Sequence, residues 1–331
     1  MRRLGIMIVA AIVLVAGSAE PFAVQAVQAP VPHAAPAAGP VTLLSYNVEG
    51  LPWPLTHGRT GAAAAIAAEL RSLHESGAAP QVVAVQEAFG DAQKGIGRAA
   101  GYRYTVYGPD AAMPRAAAVT AADQAFVADA SLWHGETEAP REDSGLAIFS
   151  DYPVLWARRV PFPAFACAGY DCLANKGMLA VALRLPGQAK PLIVIDTHLN
   201  ARTASGVGDA RSLFAYARQV AALRAFVISL ERDGSAVVLA GDFNVGNDAA
   251  RQRVLAQGLI GNDGLTVAAS ESACGSGCRN LAAVPGIAHA KTILAYRGRL
   301  GATGLPVSFG TAPDGSQLSD HIGVMRTFAP A

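Results

Sequence analysis

The chain predicts a layered α/β or α+β sandwich, on three observations. Short apolar runs bounded by Gly, Pro or Asn recur along it, two long stretches of helical spacing lie between them, and many connections are too short for parallel crossovers. With 331 residues, 52% of them hydrophobic and 15% charged, it can bury a sizeable core.

Taken in order, residues 41–46, 81–86, 146–149, 178–185, 191–195 and 236–240 read as buried strands, and 322–325 as a closing apolar run. Helices are expected over 62–75, where Leu70 and Leu73 stand among alanines, and over 210–231, where apolar residues recur at helical spacing. The Ala-rich stretch 109–140 predicts no element and reads as an insertion covering the rim of a cleft.

Ahead of the first strand, Met1-Arg2-Arg3 and an apolar run to about Gly17 read as a signal peptide, since the run is short for a membrane span. Small-x-small patterns at Gly17-Ser18-Ala19, Val24-Gln25-Ala26 and Val27-Gln28-Ala29 leave the cleavage point open within 1–29. An uncleaved anchor is the weaker alternative. Residues 30–40, rich in Ala and Pro, read as a linker, and 41–328 as one domain without a second linker or repeat. The expected location is therefore secreted or periplasmic.

A formal net charge of +1 gives no electrostatic footprint for nucleic acid. Cys167 and Cys172, and Cys274 and Cys278, form two close pairs, and in an exported chain local disulfides are favoured over a zinc site, whose common spacings they match poorly.

The strand ends hold the chemistry. Asn47 and Glu49 follow the first strand, Glu87 the second, Asp196, His198 and Asn200 the fifth, and Asp242 and Asn244 the sixth, while Ser319, Asp320 and His321 precede the last run. A rigid sheet can aim such groups into one cleft. Oxygen ligands without thiolates suit a hard cation, Mg2+ or Mn2+, which keeps open positions for phosphate oxygens and water. In VVLAGDFNV, Asp242 and Asn244 lie on the same side of an extended chain, so both can face one phosphate.

The ordered segments YNVEGLPWP, VQEAF, DSGLAIFSDYPV, NKG, DTHLNA, GDFNV and SDHIGV resemble the endonuclease/exonuclease/phosphatase superfamily, the fold of deoxyribonuclease I, over nearly the whole chain after Val41. YNVEGLP, DSGLAIFSDYPV leading to NKG, and THLNA are most similar to the secreted bacterial neutral sphingomyelinases, whereas NVEGL is also similar to the NVDGL of abasic-site endonucleases. The resemblance implies a four-layer α/β-sandwich of two packed mixed sheets flanked by helices, and a Mg2+-dependent phosphodiesterase acting on a phospholipid or small phosphodiester. A secreted nuclease of the same fold is the alternative. A catalytically weak binding module or toxin subunit is the alternative of another class.

Carried across residue by residue, the resemblance makes Glu87 the direct metal ligand, Asn47 the amide supporting metal or phosphate, and Glu49 an acid one layer out from the ion. Asp242 would activate water, Asn244 hold a phosphate oxygen, and His198 and His321 flank the scissile phosphate. Asp320 would approach the metal or orient the water. Lys176 of NKG, Asn200, and Asp143 of REDSGLAIFS would serve the substrate. The family often has Leu/Ile-Asp-Tyr before the last loop, its Asp steadying the catalytic His, but here HAKTILAY puts Lys291, or Thr292 after a one-residue shift, in that place. Either the register slips or another group, such as Asp320 or a backbone carbonyl, orients His321.

Structural readings compete throughout. Asp-x-Asn after a strand is often only a turn, Glu49 and Lys176 divide evenly between roles, and His57, His74, His134 and His289 lack comparable neighbours and are assigned to structure or surface. Trp53, Trp133 and Trp156 read as core or rim before membrane anchors, leaving at most transient contact with a lipid surface. A monomer is expected.

Overall fold

A computed structural model describes residues 20–23, 36–51, 56–118, 120–230, 234–261, 264–274, 278–281 and 286–330, the side chains of 272–274, 278–281 and 330 excepted. Most of the signal-peptide assignment 1–29, most of the linker and Trp53 lie outside the described residues, as do the side chains of Cys274 and Cys278, while Phe22, within 1–29, exchanges backbone hydrogen bonds with Ala157.

The first half of the chain builds β1 (Val41–Asn47), α1 (Arg59–Glu75), β2 (Val82–Gln86), α2 (Asp91–Lys94), α3 (Ile96–Ala100), β3 (Tyr104–Tyr107), α4 (Ala121–Ala128), β4 (Ala147–Ser150) and β5 (Val154–Pro161). The second half builds β6 (Gly177–Leu183), β7 (Leu192–His198), α5 (Asp209–Leu230), β8 (Ala236–Asp242), α6 (Ala249–Gly258), β9 (Thr266–Cys274), β10 (Cys278–Leu281), β11 (Thr292–Arg297), β12 (Leu300–Phe309) and β13 (Gly323–Pro330). They form two mixed sheets, β12-β13-β1-β2-β4-β3 and β10-β9-β11-β8-β7-β6-β5.

Each sheet is centred on one parallel pair, β1 with β2 and β7 with β8, and the crossovers between them are α1 and α5. The other pairings are antiparallel. Side-chain alternation then explains the layers. On β1, Leu43 points between the sheets, where it packs with Leu179, Val194 and Val238, and Leu44 points outward, where it packs with Ile66 and Leu70 of α1. On the other outer face, Tyr216, Leu223 and Phe226 of α5 cover Ile193, Ile195 and Leu239. Helix, sheet, sheet, helix is thus the order of layers that the resemblance implies.

Between the sheets, Gln86 Nε2 donates to Asp196 Oδ1 at 2.6 Å. Burial pushes the Asp196 carboxyl well above its ordinary range, and the bond is a polar link tying β2 to β7.

The stretch 109–140 does contain structure. Thr120 and Asp123 form a reciprocal capping box that opens α4, and Phe126 stacks on Phe214 of α5 with ring centroids 4.4 Å apart. Glu136 binds Arg211 at 2.7 Å and accepts from Gly169 N, so the insertion braces the turn Gly169–Leu173. That turn contains Cys172, bonded to Cys167 in the expected local disulfide.

Candidate active site

The parallel pairs decide where the site lies. Asn47, Glu87, His198 and Asp242 all stand at or one step past the carboxyl ends of β1, β2, β7 and β8, and His198 is paired with Asp242 in register. The crevice outside such ends is where layered α/β sheets hold ligands. The β13 strand runs antiparallel to β1, so its preceding turn returns His321 to the same end.

At the centre is Asp242, 1% exposed. Asn47 Nδ2 donates to its Oδ2 at 3.1 Å and to Glu87 Oε1 at 2.9 Å, joining the two sheets. His198 Nε2 and His321 Nε2 lie 3.6 and 3.5 Å from the same Oδ2, and Asn244 N donates to Oδ1 at 2.9 Å. Burial alone would raise the Asp242 carboxyl, but His321, with Lys291 and the Asn47 hydrogen bond, outweighs it and holds the carboxyl well below the carboxylate range.

The two histidines differ. Burial, then the Lys176 ammonium, lowers His198 to about 3, so the ring is neutral and its Nε2 accepts from Asn244 Nδ2 at 3.2 Å. For His321 burial again disfavours the cation, but Asp242 and Glu271 overcome it and raise the ring to about 9. One imidazole is a neutral acceptor, its neighbour a cation.

Of the four non-glycine residues with positive φ among those described, three are Glu49 (51°), Glu87 (59°) and Asn244 (46°). Each such residue costs about 1–2 kcal/mol, and strain of this kind gathers where the chain must turn abruptly to aim a side chain. Gly241 makes a close approach on the other side. A Cβ there would stand 2.3 Å from the Thr197 carbonyl oxygen, which explains the Gly of GDFN.

Glu49 is taken up by protein partners. Its carboxylate pairs with Arg59 at 3.2 Å and accepts from Asp320 N at 2.9 Å. Asp320 itself is half exposed, with Oδ1 3.8 Å from His321 Nε2. Lys176 Nζ is buried and meets Asp171 at 2.6 Å, beneath His198. Both ends of the Asn200 amide are taken up by backbone, Oδ1 accepting from Ala168 N and Nδ2 donating to Ala201 O, so this side chain shapes the loop. Asp143 lies further out, bound to Lys94 at 2.6 Å and to Ala111 N. Its burial would raise the carboxyl, but Lys94 lowers it overall.

His74 is bound to Asp151 at 2.9 Å and His134 to Ser131 at 2.7 Å, in keeping with structural roles. Other residues of the site were invisible in the sequence. Arg59 donates to the Glu49, Val48 and Leu318 carbonyls, tying the first loop to the last. Arg251, fully buried, donates to Asn200 O and Asn244 O and steadies both loops of the second sheet. Glu271 of β9 is 3% exposed, accepts from Thr292 Oγ1 at 3.2 Å and faces His321 Nδ1 at 3.7 Å. Thr292, the first residue of β11, stands opposite Asp242 in register, and Lys291 precedes the strand.

Among the described residues no three His, Cys, Asp or Glu side chains form a metal cage. The donors fit a hard ion held sparsely. Glu87 offers one carboxylate, oriented by Asn47 Nδ2 while the Asn47 oxygen accepts from Glu49 N, and Mg2+ characteristically takes one or two carboxylates and completes its shell with water and phosphate. Burial raises the Glu87 carboxyl, so a cation at that position would relieve the cost of ionising it.

The family model described as the Endonuclease/Exonuclease/phosphatase family matches residues 44–321. No curated protein matches the sequence. Among solved structures, a beta toxin of Staphylococcus aureus with bound magnesium ions is similar at TM-score 0.60 and 18% identity, covering 88% of this chain and 99% of that one. Sphingomyelinase C from Streptomyces griseocarneus is similar at TM-score 0.58 and 21% identity, over 87% and 99%. TDP2 of D. rerio, complexed with a single-strand DNA product, is similar at 0.55 and 15%, over 87% and 98%. At these identities the likeness is one of fold.

Proposed function

The chain belongs to the endonuclease/exonuclease/phosphatase family, metal-dependent hydrolases of phosphoric esters, and on that premise we propose that it is an exported, Mg2+-dependent phosphodiesterase of the sphingomyelinase-C kind. The observation that supports this most is the meeting of Glu87, Asn47, Asp242, His198 and His321 at one end of both sheets. A bound Mg2+ would polarise the phosphoryl group and lower the charge opposing attack. Glu87 would hold it, its carboxylate oriented by Asn47 Nδ2, with Glu49 kept one layer out by Arg59.

Asp242, ionised and fixed by Asn47, Asn244 N and His321, would accept a hydrogen bond from the attacking water and aim it in line with the departing alkoxide. His321, as the cation, would face the phosphoryl charge, and Asn244, whose Nδ2 donates to His198 Nε2 and to Leu199 O, would hold the neutral His198 in place. Asp320 would orient the water from the open side. Lys176 supports His198 from below in this reading, and Asp143 lies on the rim.

A lipid substrate is favoured by the sphingomyelinase-like motifs and the near-neutral charge, and by the rim itself. Leu132, Trp133 and Tyr170 are 66%, 87% and 50% exposed, and Tyr170 adjoins Asp171, the partner of Lys176. Such side chains suit transient contact with a lipid surface. The Cys167–Cys172 bridge favours an oxidising location. Hydrolysis of sphingomyelin vesicles and of plasmid DNA, each with Mg2+ or EDTA, tests the reading. Mg2+-dependent release of phosphocholine is expected; cleavage of DNA alone would replace it with a nuclease.

A further inference from the structure

We infer that Glu271, reaching in from β9, is the positioning residue for His321, so that this chain supplies from a neighbouring strand the carboxylate that its relatives place before the last loop. The inference rests on the phosphodiesterase reading only for its kinetic readout.

The geometry begins with the register. Ile293 pairs with Ser270, which puts Thr292 and Glu271 side by side, and Thr292 stands opposite Asp242. Threonine at that point has no charge to offer an imidazole. Its hydroxyl instead donates to Glu271 Oε2, orienting the longer carboxylate across the gap. The same oxygen lies 3.7 Å from His321 Nδ1, on the side of the ring away from Nε2, which faces Asp242.

His321 Nδ1 is sealed from solvent and makes no hydrogen bond, a costly state for a ring nitrogen. A shift of about half an ångström would bring it within bonding range of Glu271, and hydrogen bonds at such sites are commonly long before substrate arrives. With Nδ1–H on Glu271 the ring plane is set and Nε2 is committed to the cleft. The bland competitor is that Glu271 merely satisfies the buried Thr292 hydroxyl.

Two variants separate these roles, Glu271→Gln and the exchange Glu271→Gln with Thr292→Asp, which returns the carboxylate to the slot used by the relatives. With bis(4-nitrophenyl) phosphate and Mg2+, Glu271→Gln is expected to lower kcat by about 10–100-fold with KM nearly unchanged. The exchange should recover at least about tenfold of that loss. On 15N-histidine-labelled protein in EDTA, the Nδ1–H signal of His321 should be lost or shifted in Glu271→Gln and regained in the exchange. That signal needs no turnover, so it reports on Glu271 even if the substrate reading fails. An unchanged kcat together with an unchanged Nδ1–H signal in Glu271→Gln would overturn the inference. If Glu271→Gln does not fold, Glu271→Asp decides: it keeps the charge but draws it back from Nδ1 by one methylene, so a lower kcat with a shifted Nδ1–H signal is expected, and both unchanged would overturn the inference equally.

Discussion

Asn47, closing the first strand of one sheet, donates a hydrogen bond of 3.1 Å to Asp242, closing a strand of the other sheet 195 residues later. The same amide reaches Glu87, so one side chain couples the proposed metal ligand to the proposed water-orienting carboxylate.

Removing the charge of Asp242, or of His321 beside it, should sharply lower turnover. Asp242→Asn and His321→Ala are each expected to lower kcat by at least ~10²-fold with the fold intact by circular dichroism. A smaller effect in both would reject the assigned roles.

Glu87→Gln should weaken Mg2+ binding by more than tenfold, about 1.4 kcal/mol, measured by titration calorimetry. Equal affinity in variant and parent would remove Glu87 from the metal site.

The two histidines set opposite pH dependences of stability in EDTA. His321 rises from 6.5 to about 9 on folding, so its contribution is complete below pH 6.5 and disappears as pH climbs through 9. His198 falls from 6.5 to about 3, so the unfolded chain takes up a proton that the folded one refuses, and stability is lost as pH drops from 6.5 toward 3. Urea midpoints of His321→Gln should lie furthest below the parent near pH 6 and converge with it above pH 9. A gap that widens with pH would contradict the assignment.

Gly241→Ala should destabilise by at least ~2 kcal/mol, because the added carbon meets backbone that cannot rotate away. Thermal denaturation reads this directly, and a variant as stable as the parent would show that β7 and β8 can part at their ends.

Arg59→Lys should fail where a conservative exchange would ordinarily succeed. The guanidinium serves Glu49 and three carbonyls at once, a fork no ammonium reproduces. Lower kcat and a lower Tm are expected together; full activity would make the link between the first and last loops dispensable.

The sandwich and the centre of its site were legible because apolar runs of β1, β2, β7 and β8 end abruptly in polar residues, a pattern that one chain shows without relatives. Strands β3, β5 and β9 to β12 were missed because their polar, Gly-rich or mixed sequences imitate loops. Glu271 could not be seen, since it sits inside SESAC on a strand whose neighbour is known only once the sheet is paired. Arg59 and Arg251 were likewise silent, acting through carbonyls that no motif advertises. Asn200 was read for chemistry because DTHLNA resembles a functional segment, yet its amide is occupied by local backbone.

Because Glu87 belongs to one sheet and Asp242 to the other, neither half of the polypeptide owns a working cleft. A newly made chain would thus stay harmless to the phosphoesters of its maker until the halves dock, and the first turnover would coincide with completed assembly.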